Sequence, residues 1–153
     1  IELHERLNVL TRREVESRVE VKFDAYSNTK LVEYKLGIDI ARRKVMPAIL
    51  DHLNDLGRAF EHAKVVKLNA VSIQNDFRVL EEIYSTIQTK VDYLNKFIIS
   101  VESTDDSYER AYSIATKGAE LLQSLRDNVD QAETIVAEDY WPLPTYDQLL
   151  LSF

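Results

Sequence analysis

Residues 73–101 read IQNDFRVLEEIYSTIQTKVDYLNKFIISV. Apolar side chains recur at Ile73, Phe77, Leu80, Tyr84, Ile87, Val91, Leu94, Ile98 and Val101. The steps alternate four and three, which is the seam of a helix packed along a neighbouring helix. No glycine or proline interrupts it, so the stretch predicts one helix over residues 73–102.

Upstream, residues 11–60 carry a second stripe at helical spacing: Val15, Val19, Phe23, Tyr26, Tyr34, Ile38, Ala41, Val45, Ile49, Leu53, Leu56 and Phe60, with Lys30 in the one gap. A single helix of that length would reach ~70 Å at 1.5 Å per residue. A kink or break is therefore expected near Pro47, which lacks an N–H and crowds the preceding turn, or near Gly57. Residues 61–72 lose the pattern and read as a connection.

Downstream, Ser103-Thr104-Asp105-Asp106-Ser107 supplies small acceptors and acidic groups suited to a helix N-terminus. It predicts a third helix over residues 105–139, antiparallel to the second. The expected face is Tyr108, Ala111, Ala115, Ala119, Leu122, Leu125, Val129, Ala132 and Val136, with alanines allowing close approach. Pro142 and Pro144 then predict an extended tail over residues 140–153. The fold class is all-α: an antiparallel bundle of about three long helices in a single helical domain, residues 1–153, with an extended, proline-containing C-terminal tail.

Composition agrees with this reading. Only 3 Gly and 3 Pro in 153 residues leave few turns for a β fold. The net charge of -7, with Lys and Arg dispersed, disfavours nucleic acid and anionic membranes as partners. No apolar run approaches the ~20 residues of a membrane span. The absence of cysteine removes disulfides and thiolate sites, and suits a cytoplasmic protein. The sequence opens at Ile1 with no Met, which predicts a piece of a longer parent.

Catalytic patterns are weak. Gly37, Gly57 and Gly118 stand alone, with no strand–loop–helix unit to cradle phosphate. His4, His52 and His62 are scattered. Asp51, His52 and Asp55 lie within one turn but read as a polar helix face, and the Glu-x-x-His pairs of a di-iron bundle are missing. Glu81-Glu82, Asp105-Asp106 and Glu138-Asp139 point apart on a helix, which makes poor acid–base pairs. Arg12-Arg13 and Arg42-Arg43-Lys44 read as exposed or ion-paired, the latter with Asp39. The aromatics Phe23, Tyr26, Tyr34, Phe60, Phe77, Tyr84, Tyr108 and Tyr112 read as core. No catalytic, cofactor-binding or metal-binding residue is assigned.

Two regions are more specific. One is Leu125-Arg126-Asp127-Asn128-Val129-Asp130-Gln131-Ala132-Glu133-Thr134-Ile135-Val136, followed by Tyr140-Trp141-Pro142-Leu143-Pro144-Thr145-Tyr146 and Leu149-Leu150. The other is Ser17-Arg18-Val19-Glu20, then Tyr26, Thr29 and Glu33, then Asp39-Ile40-Ala41-Arg42-Arg43-Lys44-Val45-Met46-Pro47-Ala48-Ile49. Their order and spacing resemble the C-terminal helical domain of type III glutamine synthetases, which carries S-R-x-E, D-x-A-(R/K)-x-x-(I/L)-P-A and W-P-x-P-T-Y. This chain departs at Thr29-Lys30-Leu31-Val32-Glu33, where the family commonly has T-I-N-I-E, and at its Leu149-Leu150-Leu151-Ser152-Phe153 end.

The resemblance implies an oligomeric, cytoplasmic ligase of nitrogen metabolism that joins ammonia to glutamate using ATP and Mg or Mn. Its ligands would lie upstream, leaving no cofactor in this chain. Expected partners are the catalytic domain of the parent chain and neighbouring subunits of a homo-oligomer. The expected role is structural and oligomer-forming, with Trp141, Pro142, Leu143, Pro144 and Tyr146 as interaction residues. That tail either docks on a partner or covers the bundle's own end. The alternative is a free-standing helical binding or adaptor module. An independent bundle metalloenzyme lacks the ligand pattern.

Overall fold

The computed structural model describes residues 10–144 and 146–151, and of Tyr146, Asp147 and Leu151 only the backbone. His4, Thr145, Ser152 and Phe153 lie outside the described residues. Every regular element among those described is helical: α1 Arg12–Ile40, a π-helical turn Ala41–Val45, α2 Met46–Val65, α3 Val71–Glu102, α4 Ser107–Ser113, a second π-turn Ile114–Gly118, α5 Ala119–Glu133 and α6 Tyr146–Leu151.

Thr11 starts α1 with a capping box. Its hydroxyl accepts from the Glu14 amide, and the Glu14 carboxylate accepts from the Thr11 amide at 2.8 Å. The hydrogen bond from the Thr11 backbone is also the main reason the Glu14 carboxyl sits below its ordinary pKa. The break expected near Pro47 or Gly57 takes the form of the first π-turn. The Met46 N–H reaches back five residues to the Ala41 carbonyl. The helix thus widens just before Pro47, whose ring would otherwise meet the Arg43 carbonyl. Pro47 then occupies the first turn of α2, where its missing N–H leaves no bond unmade. Gly57 passes without interruption.

The connection between α2 and α3 is residues 66–70, shorter than the expected 61–72. Lys67 adopts a left-handed conformation, φ 59°. The Leu68 N–H bonds the Ala63 carbonyl at 2.9 Å and the Lys67 N–H bonds the Lys64 carbonyl at 3.1 Å. That double bond pattern closes the helix as glycine usually does. At the other turn, the Asp106 carboxylate caps α4 by accepting from the Glu109 amide at 2.7 Å.

Cross-helix pairs define the arrangement. Lys35 meets Glu102 at 2.6 Å and Arg42 meets Asp92 at 2.8 Å, so α3 runs opposite to α1 and α2. Arg110 meets Asp24 at 2.6 Å, and the Gly118 backbone lies against Tyr34, so α4 and α5 run with α1. The long rods of the sequence reading are thus divided by π-turns. The tail is also not wholly extended: residues 138–140 turn, and α6 follows Pro144.

The core follows the 73–101 seam closely. Leu80, Ile87, Val91, Leu94, Ile98 and Val101 of α3 are buried with Leu31, Tyr34, Ile38, Val45, Ile49 and Leu53. Two stripes shift register. In α1, Ser27 and Leu31 turn inward in place of Tyr26, and Lys30 pairs with Glu33 at 2.7 Å. In the third rod Ile114 and Gly118 of the π-turn face inward, in helical steps from the buried Ala111, while Ala115 and Ala119 are exposed. Gly118 lies closest, Ala111 is buried as expected, and Ala115 and Ala119 take no part.

Tyr34 closes this junction. Its hydroxyl donates to the Ile114 carbonyl at 2.8 Å, and burial pushes its pKa up to about 12. A tyrosine that ionises later in the fold than in the unfolded chain stabilises the fold below about pH 10. That contribution falls away as pH rises toward 12, because the unfolded state sheds its proton first. We expect stability to drop by about 2 kcal/mol more over that window in the parent chain than in Tyr34→Phe. Urea unfolding at stepped alkaline pH checks this; equal slopes in the two proteins would refute it.

Candidate interaction surfaces

Two ends of the bundle are unequally covered. At one end α4 begins at Ser107, and Phe23 packs edge-on against Tyr108, ring centroids 5.4 Å apart. Residues 12–22 of α1 lie beyond that contact. The stripe they were expected to bury is therefore uncovered: Val19 is 43% exposed, Tyr26 39%, and Val15 and Phe23 are half-buried. Tyr108 and Tyr112 continue the patch on α4, both 59% exposed and stacked at 6.2 Å. The expectation of core roles for Tyr26, Phe77, Tyr108 and Tyr112 fails because no helix among the described residues extends over them.

At the opposite end the tail folds back on α2. Trp141 is 9% exposed and joins the core beside Val136, with Tyr140 and Leu143 packed against it. The Tyr140 hydroxyl donates to Asp55, which holds the Tyr140 pKa above its ordinary value. The His52 ring lies 5.8 Å from Tyr140. Pro142 and Pro144 are exposed and Leu143 is half-buried. Leu149 and Leu150 of α6 are also exposed. The structure thus brings Trp141 and Leu143 to the chain's own core and leaves the two prolines outward; the side chain of Tyr146 is outside the description.

The remaining candidates fall apart in space. Asp55 is occupied by Tyr140 and by Arg58 at 3.6 Å, and no group of three metal-binding side chains gathers among the described residues. Arg42 pairs with Asp92, Arg43 with Asp39 and Arg12 with Glu16. Glu81 and Glu82 are exposed, Asp106 is a cap, and Glu138 accepts from Gln148. No helix among the described residues is long and apolar enough to cross a membrane.

One feature carried no sequence signal. α2 and α3 diverge beyond Leu53 and Leu80 into a groove of about 740 Å³, lined by Gly57, Arg58, Phe60, His62, Phe77 and Arg78. The seam runs through Phe77 without change, and only the early end of α5 leaves it open.

The family profile described as the glutamine synthetase C-terminal domain matches residues 1–64. The chain is 23% identical to a type-3 glutamine synthetase of Dictyostelium discoideum over 157 residues, covering 98% of this chain and 21% of that protein. It is 20% identical to a glutamine synthetase of Bacteroides fragilis (strain YCH46) over 155 residues, covering 94% of this chain and 21% of that protein. The chain thus spans about a fifth of the length of the curated relatives it matches. The profile takes in α1, the first π-turn and most of α2, and the likeness to the two glutamine synthetases extends over nearly all of the chain.

Proposed function

We propose that this chain is a structural and assembly domain of a glutamine synthetase and performs no catalysis of its own. The parent would ligate ammonia to glutamate with ATP, binding nucleotide and Mg or Mn in its other regions. The helices would act as one antiparallel bundle, meeting the parent's catalytic domain and neighbouring subunits in the cytoplasm. Pro142 and Pro144 would add contacts from the tail.

The observation that carries this reading is the uncovered patch of Val19, Phe23, Tyr26, Tyr108 and Tyr112. Clustered aromatics at a surface mark contact sites, because each removes a large apolar area from water on binding. In the full-length protein, Val19→Glu combined with Tyr112→Glu should lower the native mass, measured by sedimentation, without altering helix content. An unchanged mass would remove the support for this role.

A further inference from the structure

Resting on that assembly reading, we propose that residues 12–22 of α1 in one copy seat in the α2–α3 groove of a neighbouring copy, supplying the third helix that this end of the bundle lacks among the described residues.

The groove exists because the third rod stops early. The Lys90–Ser124 bond and the approach of Gly118 to Phe97 fix the register of α5 on α3. Continuing that register sets Glu133, the last residue of α5, level with Glu81. The first turns of α3 and the last of α2 therefore form a two-helix hairpin. Its inner wall offers Phe60 and Phe77, and Gly57 leaves the floor low. A third amphipathic helix fits such a groove through i, i+4 anchors.

The uncovered part of α1 matches in length, direction and charge. It is one helix where the groove lacks one, and both run for ~15 Å at 1.5 Å per residue. α5 runs in the same direction as α1, so a copy displaced along the bundle axis presents α1 in the direction the missing rod would take. Val15 and Val19 stand four residues apart as anchors. Glu20, beside Val19, and Arg78, on the groove rim, are both exposed and have no ion-pair partner among the described residues. The contact is head-to-tail, so each copy uses one end as plug and the other as socket.

Cysteine cross-linking tests the pairing. This chain has no cysteine, and any elsewhere in the full-length protein is replaced first. Full-length protein carrying Val19→Cys is mixed with protein carrying Phe77→Cys and mildly oxidised. The expected product is the mixed disulfide dimer, in excess over either self-linked dimer. Predominance of the Val19→Cys self-linked dimer, or no linked dimer at all, overturns the proposal. Charge reversal is the second arm. Glu20→Arg and Arg78→Glu should each weaken association roughly two- to fivefold, the range of an exposed pair, and together restore it. A double variant no better than the singles also overturns the proposal. If Val19→Glu with Tyr112→Glu lowers the native mass while cross-linking fails, assembly uses α1 against another surface and only this inference falls. If neither responds, both fall.

Discussion

Replacing Trp141 with alanine is expected to destabilise the fold by about 3–5 kcal/mol, the range for removing a buried aromatic. Trp141 is 9% exposed and shares the core with Val136 and Ala132, so its loss opens a void under the tail. Tyr140 and Leu143 flank it, and the Tyr140 contact with Asp55 then holds an otherwise unanchored segment. Among the described residues the indole Nε1 meets no acceptor. The stabilisation therefore comes from apolar burial and not from a hydrogen bond. Trp141→Phe should accordingly lose clearly less than alanine, because the phenyl ring keeps much of the buried apolar area. Trp141 is the one tryptophan, so far-UV circular dichroism in urea is the right probe. A loss below about 1 kcal/mol for alanine would place Trp141 outside the energetic core.

Gly118→Val should be almost as damaging, at about 3 kcal/mol, the upper end of ordinary overpacking. A Cβ at Gly118 would stand 2.6 Å from Tyr34 Cε2 and 2.8 Å from Phe97 Cε1. Neither ring can retreat. Tyr34 is 2% exposed and tethered to the Ile114 carbonyl, and Phe97 is buried. Removing a helical glycine recovers only about 0.5 kcal/mol when the replacement is β-branched. Gly57 is the internal control. A Cβ there meets Phe77 at an ordinary 3.9 Å, so Gly57→Ala should leave stability unchanged or raise it by about 1 kcal/mol. Thermal unfolding of the two variants separates these outcomes, and equal midpoints would contradict the close approach at Gly118.

The helical class and most of the core could be read from residues 73–101, because an uninterrupted apolar seam has one physical solution. The Asp106 cap was equally legible, since its side chain acts on a backbone only three residues away. The π-turns were legible in part. The first sits where Pro47 marked a break, whereas the second, at the Tyr34–Gly118 approach, had no local signal. Steps of three and of four both fit a helix, so Ala115 and Ala119 were assigned inward where Ile114 and Gly118 belong. The end of α2 was hidden for another reason. Lys67 takes the left-handed position that glycine usually marks. The interaction surface was half legible. The stripe of Val15, Val19 and Phe23 was visible as apolar spacing, but its exposure depends on where α4 begins. The groove depends likewise on where α5 ends. Such lengths are set by distant contacts and not by the residues of the stripe itself.

Amide hydrogen exchange of residues 12–22 tests the assembly role most directly. Those turns have no cover among the described residues, so in the dilute 153-residue chain their amides should exchange fast, while α3 amides from Leu80 to Val101 stay protected. In the assembled full-length protein the same α1 amides should become protected, by about tenfold or more if burial there lowers local opening by ~1.4 kcal/mol. Equal and fast exchange of residues 12–22 in both states would contradict the account, because α1 would then be as uncovered in the assembly as it is alone.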